Sequence, residues 1–311
     1  MADLVCMGEP MLEFNQQPAG PDGRVLYLEG CGGDTSNAAV AAARQGASVA
    51  YVSAVGRDPA GERFMRLWRE EGVDTSGVGR PEGAATGVYF VMHGPAGHEF
   101  LYYRDGSAAS RIAPADVPAG LLGGARMFYA SGISQGISAS AADAVFHAIG
   151  LARAAGALVA YDTNYRPRLW PAARAAAVIH AAVAQADVAL PGLDDARALT
   201  GLDDPDAVAD FYLRLGPPLV VLKMGAAGAL VATADGRVHI PPFPCRAVDA
   251  TGAGDTFCGS FLARLIAGDA AVPAARYAAA AAALKTEGYG AVAPIPRAAD
   301  VLAALERVPC C

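Results

Sequence analysis

From residue 127 onward, short apolar runs alternate with longer stretches of helical period, and this alternation limits the fold more than any other feature. The apolar runs cover 127–130, 158–161, 188–190, 219–223 and 229–232. The helical stretches cover 139–155, 171–185, 193–200, 205–215, 255–267 and 273–287. Strands that are apolar on both sides need cover on both sides, and crossover helices supply it. The spacing therefore predicts an α/β fold with a central, mostly parallel sheet flanked by helices on both faces. Ligands of such sheets sit beyond the carboxyl ends of the strands, so the residue after each strand matters most.

The first hundred residues add two patterns. Residues 4–9 read as a buried strand ending at a turn, 49–55 as a second strand, and 62–71 as a helix closed by Gly72. Between them, Gly32-Gly33 precedes Asp34-Thr35-Ser36-Asn37 and an alanine-rich run to Arg44, with Gly46 just beyond. That order reads as a turn, a polar N-cap, a helix and a terminating glycine. Residues 86–104 differ: two aromatic, β-branched runs flank Gly94-Pro95-Ala96-Gly97, the signal of a β-hairpin with a four-residue loop. Simple pairing puts Tyr89, Tyr102 and Arg104 on one face and Tyr103 on the other; a bulge would reverse this. No repeat or composition shift demands a second domain, so residues 1–311 are expected to form one unit, with small β segments at about 14–30 and 86–106 standing off it.

Charge and composition exclude several classes. The net charge is −7 and no basic stripe occurs, which argues against nucleic-acid binding. No apolar run approaches the roughly 20 residues of a membrane span, and no secretion signal opens the chain, so a cytoplasmic location is expected. The six cysteines lack zinc-site spacing and read as reduced thiols, with Cys310 and Cys311 in an exposed tail. Only Lys223 and Lys285 are available as lysines.

The run Asp249-Ala250-Thr251-Gly252-Ala253-Gly254-Asp255 carries the chemistry. Its glycines free the backbone to aim N–H groups of Gly252, Ala253 and Gly254 into one concavity, and the helix that follows adds its positive end. Such an anion hole suits the equatorial oxygens of a phosphoryl group in transfer. Asp255, at its rim, can take the proton of an attacking hydroxyl.

This run, extended through Thr256-Phe257, resembles the second signature of the ribokinase-like (PfkB) carbohydrate kinases, and 32–39 resembles their first. The two lie more than 200 residues apart, and the resemblance covers essentially the whole chain. No Walker-type phosphate loop is present. Gly8-Glu9-Pro10-Met11-Leu12-Glu13-Phe14, Leu101-Tyr102-Tyr103-Arg104, Ser107-Ala108-Ala109-Ser110 and 162–170 are similar to segments of the 2-keto-3-deoxygluconate kinases. The resemblance implies a ribokinase-like fold with a β lid, ATP and Mg²⁺ as cofactors, and phosphorylation of a sugar acid at its 6-hydroxyl. It sets Gly33 under the sugar with Asn37 nearby, and brings Tyr89, Tyr102, Tyr103 and Arg104 from the lid. Arg104 and Arg166 then hold the carboxylate, as a sugar acid requires and a neutral sugar does not. Lys223, Gly225 and Gly228 match the family's nucleotide turn, and Asn164 is set to touch phosphate or substrate. At 191–195 the chain departs from the family's Asn-x-x-Glu, leaving Gly192 and Asp195, so no metal ligand is assigned. A kinase for fructose or ribose is the alternative, and a non-catalytic sugar or nucleotide sensor a remote one. Exposed lid edges predict a homodimer or larger homo-oligomer.

Overall fold

The computed structural model describes residues 2–94 and 97–307. Thirteen strands form: β1 (Leu4–Met7), β2 (Met11–Gln17), β3 (Leu26–Gly32), β4 (Val49–Ala54), β5 (Asp74–Gly79), β6 (Gly87–Gly94), β7 (Gly97–Tyr103), β8 (Met127–Ser131), β9 (Leu158–Asp162), β10 (Val188–Ala189), β11 (Leu219–Lys223), β12 (Ala229–Thr233) and β13 (Gly236–Ile240). Nine make one sheet in the order β13-β12-β11-β10-β9-β8-β1-β4-β5, parallel except where β12 meets β11 and β13. The strand period of two splits its side chains cleanly. Val5, Phe128, Val159 and Val220 enter the core on one face, whereas Cys6, Tyr129, Ala160 and Val221 enter the core on the other. The α/β expectation holds, with helices such as Ala139–Ala154 on the first face and Asp34–Arg44 and Ala253–Ile266 on the second.

Helix boundaries differ from the sequence reading where capping decides. The second helix starts at Pro59, not at 62, because the Asp58 side chain accepts from Gly61 N at 2.7 Å and proline suits the first turn. The alanine-rich helix Asp34–Arg44 has Gly33, not a polar residue, as its N-cap, at φ 100°. A Cβ on Gly33 would collide with the Glu9 carbonyl oxygen. Capping by glycine leaves the Asp34 and Asn37 side chains free for other work.

A second sheet, β3-β2-β6-β7, stands beside the first. Its hairpin pairs through Gly94 opposite Gly97, so the ladder extends further toward the tip than a four-residue loop implies; Pro95 and Ala96 lie outside the described residues, as do Cys310 and Cys311. Tyr89 pairs directly with Tyr102, with no bulge recorded in that ladder. Glu13, Asn15, Tyr89 and Val91 are buried on one face. The other face carries Phe14, Tyr27, Phe90, Leu101 and Tyr103; Phe14 stacks on Phe90 at 5.1 Å, and Tyr103 is 62% exposed.

The helices bearing the two glycine-rich motifs pack directly together. Residues 34–42 of the first are all buried, and Gly259 of helix Ala253–Ile266 faces Ala38 and Ala41. A Cβ at Gly259 would strike the Ala38 carbonyl oxygen and come within 2.8 Å of the Ala41 methyl. Gly259→Leu is therefore expected to cost about 3 kcal/mol in denaturant unfolding through overpacking. Turnover should fall with it, since the two motifs are pushed apart; unchanged stability would show that the helices do not depend on this close approach.

Candidate active site

The site forms at the carboxyl end of the large sheet. Ser131 ends β8, Asp162 ends β9 and Lys223 ends β11, while Glu9 and Asn164 follow β1 and β9. Asn164 sits at φ 25°, a strained backbone that asparagine tolerates better than most residues. Its Nδ2 donates to Asp34 Oδ2 at 2.8 Å, and Ser131 Oγ donates to the same oxygen at 2.5 Å. Asp34 Oδ1 is buried without a partner. Burial is the main cause that raises the Asp34 pKa.

Asp255 lies in the first turn of helix Ala253–Ile266, whose N-cap is Gly252 at φ 76°. Asn37 Nδ2 donates to Asp255 Oδ2 at 2.8 Å, joining the two motifs across 218 residues of sequence. Burial, then the neighbouring Asp34 charge, push the Asp255 pKa up to about 7, against the pull of the Asn37 bond. The turn before it is held by Asp249, whose Oδ1 accepts from Thr251 N at 2.9 Å and Oδ2 from Gly290 N at 2.8 Å. Ala253 N donates to Ala250 O at 3.1 Å, so that donor is spent inside the turn. Among the described residues, the N–H groups of Gly254 and Asp255 meet no acceptor, as expected in the first turn of a helix. They are the donors that can face an anion, with the Gly252 bend bringing them round.

Lys223 reaches the same place. Its Nζ donates to Asp162 Oδ2 at 2.5 Å and to Cys258 Sγ at 3.3 Å, and lies 3.8 Å from where a Gly254 Cβ would stand. Burial works against its charge, but the Asp162 carboxylate outweighs it and holds the pKa above the ordinary lysine range. Gly225 and Gly228 bound the turn from β11 to β12, where Met224 N donates to Gly228 O at 2.8 Å.

The lid contributes the opposite wall. Tyr89 donates to Glu13, and its ring stacks on Tyr102 at 5.9 Å between centroids. Arg104 lies over the Tyr102 ring at 5.5 Å. Burial raises the Tyr102 pKa, while Arg166, Arg104 and Arg168 lower it, so three guanidinium groups share its surroundings. Arg104 is ion-paired with Glu9, itself buried and bonded by Ser107 Oγ at 2.8 Å; the Arg104 Nε is buried without a partner. Arg166 sits 3.8 Å from Asp195 and is half-exposed. Burial first, moderated by Arg166, moves the Asp195 pKa up to about 6.

The structure thus gathers Gly33, Asn37, Asn164, Lys223, Gly252, Gly254 and Asp255 at one end of the sheet, and Tyr89, Tyr102, Arg104 and Arg166 along the lid side. It leaves Tyr103 out, because the strand period turns that ring to the outer face. Asp34, Asp162, Glu9, Glu13 and Arg168 join the site without a role assigned from sequence. For the four acids the signal was position: each stands in a glycine-rich turn or within two residues of a strand end, or alternates with apolar residues along a lid strand, whereas Arg168, six residues past β9, carried no such signal.

The pattern of the pfkB family carbohydrate kinases matches residues 1–298. The chain belongs to that family. A 2-dehydro-3-deoxygluconokinase of Thermoproteus tenax is 36% identical over 310 residues, with 97% of this chain and 94% of the relative covered. The PfkB protein of Polaromonas sp. JS666 superposes with a TM-score of 0.87 at 32% identity, covering 97% of this chain and 100% of that one. The fructokinase of Xylella fastidiosa with bound ATP does so at 0.89 and 28%, covering 99% of each. The protein is a carbohydrate kinase of ribokinase-like fold. No helix of the described residues is long and apolar enough to cross a membrane.

A carboxylate raised to about 7 accepts a proton only when ionised. If Asp255 is the base, kcat/KM should rise about tenfold per pH unit on the acid side and level off near neutrality. A profile flat through the acid range would remove Asp255 from that role.

Proposed function

We propose that this kinase transfers the γ-phosphoryl group of ATP to the 6-hydroxyl of 2-keto-3-deoxygluconate, giving 2-keto-3-deoxy-6-phosphogluconate. The supporting observation is Arg104, which lies over the Tyr102 ring at 5.5 Å with its Nε buried and unpartnered, with Arg168 bonded to the Phe100 carbonyl oxygen on the same lid strand. Glu9 and Asp195 already partner Arg104 and Arg166, but the buried Arg104 Nε has no acceptor, and a substrate carboxylate offers it a charged one that a neutral hexose does not. Glu9 holds one end of Arg104 and thereby orients it, leaving the buried Nε to donate. The relative of Thermoproteus tenax is named for that substrate. The Glu9–Arg104 pair also favours a second reading: a carboxylate already sits on one arginine, as suits a neutral sugar of the fructokinase type.

In this reading Asp255 takes the proton of the sugar hydroxyl. The oxygen bonds to the γ-phosphorus as the bond to ADP breaks. Gly254 and Asp255 N–H groups, with Lys223 beside them, meet the charge on the transferring group. Mg²⁺, carried with the nucleotide, shields phosphate charge. Among the described residues no three His, Cys, Asp or Glu side chains cluster as a metal cage. Asp195 would orient the water of a hydrated ion carried by ATP. We assign the work to the cytoplasm, where ATP is supplied. The outer lid face of Phe14, Tyr27, Phe90, Leu101 and Tyr103 is proposed as the contact of a homodimer or larger homo-oligomer, which a monomer in sedimentation would contradict.

Arg166→Ala tests the substrate. Catalytic efficiency on the sugar acid should fall about 10- to 100-fold, as expected for a lost charge-assisted bond, with fructose or ribose no better a substrate than before. A panel showing wild-type efficiency on a neutral sugar, indifferent to this change, would decide for the second reading.

A further inference from the structure

Lys285 has no part in the chemistry above, yet it is one of the most buried side chains in the protein. It closes helix Ala271–Lys285 and is 0% exposed. An ordinary helix end in a core takes a leucine; an ammonium there needs compensation. Its Nζ donates to the Asp249 carbonyl oxygen at 2.9 Å. Burial lowers its pKa from the ordinary lysine value, and the carboxylates of Asp249, Glu13 and Asp255 work in the opposite direction.

These belong to two working parts, the 249–255 turn and the lid. Asp249 fixes the turn that presents Gly254 and Asp255, through Thr251 N and Gly290 N. Glu13 lies on lid strand β2, accepts the Tyr89 hydroxyl at one oxygen, and keeps the other, Oε1, buried without a partner. That Oε1 would stand 3.5 Å from a Cβ on Gly290, in the loop that follows Lys285. Asn15, also on β2, donates Nδ2 to Asp249 Oδ2 at 3.4 Å. The ammonium, bonded to the Asp249 carbonyl, therefore sits where the phosphate-facing turn, the 286–291 loop and the lid strand meet.

We infer that Lys285 is a positioning residue for phosphoryl transfer: an internal cation that holds the 249–255 turn in its anion-facing form and ties it to the lid strand bearing Glu13 and Asn15. A fixed charge at that junction lets the lid and the turn stay in register without drawing an ion from solution. Neither the sugar nor the nucleotide needs to touch it. The inference rests on reading the turn as the phosphate cradle.

The test uses Lys285→Met, which keeps the length, and Lys285→Ala, which leaves space. With the fold checked by circular dichroism, both should lose kcat by about 100-fold, the effect expected of a misplaced catalytic turn, with ATP affinity little changed. Ethylammonium or propylammonium added to Lys285→Ala should restore part of the turnover saturably, and have no such effect on wild type. Propanol, of similar size but uncharged, should not. Wild-type kcat in folded Lys285→Met, equal rescue by propanol, no rescue by any amine, or loss of fold in both variants would each overturn the inference and make Lys285 a packing residue. The cradle reading fails separately. Gly254→Val adds bulk at an exposed position over the turn, and full turnover in that variant would sink the cradle whatever Lys285 does.

Discussion

The site depends on one contact, the close packing of helix Asp34–Arg44 on helix Ala253–Ile266. Each helix carries one glycine-rich motif at its N-terminus. Alone, each motif is a turn with some polar side chains. The bare faces of Ala38, Ala41 and Gly259 let the two backbones approach, and that approach sets Asn37 against Asp255 at 2.8 Å. Leucine-sized residues at this seam would hold the helices apart and separate Asn37 from Asp255. The alanine-rich composition of the first helix is thus a requirement of the site and not a weak core.

Burying so many acids makes a second demand. Glu9, Glu13, Asp34, Asp162 and Asp249 are almost wholly enclosed. Each has an answering donor: Arg104 for Glu9, Tyr89 for Glu13, Ser131 and Asn164 for Asp34, Lys223 for Asp162, and backbone N–H groups for Asp249. Both lysines of the chain lie here, one at the rim of the anion-facing turn and one behind it. Asp255 receives only the neutral Asn37 amide, and burial beside Asp34 accordingly lifts its pKa toward neutrality.

Much of this was legible in the sequence. The alternation of strands and helices gives the large sheet, because burial on both faces leaves a period that can be read. Strand parity separates Tyr103 from Tyr89 and Tyr102 only if no bulge intervenes, and the regular ladder of the hairpin supplies that condition. The two signatures give the reaction class. What could not be read is partnership between distant side chains. Arg104 looks like a free cation until Glu9, 95 residues earlier, is found on it. Lys223 reads as a nucleotide ligand, but its bond to Asp162, 61 residues earlier, could not be read. The helix cap at Gly33 was read one residue late, since Asp34 has the chemistry of a cap and spends it on Ser131 and Asn164 instead.

The central claim is that Asp255 moves the proton while the turn before it holds the phosphoryl group. Its most direct test is Asp255→Asn, which keeps the shape and can still pair with Asn37. Turnover should fall about 100-fold or more, with ATP binding by calorimetry nearly unchanged. Near-normal turnover in that variant would contradict the account.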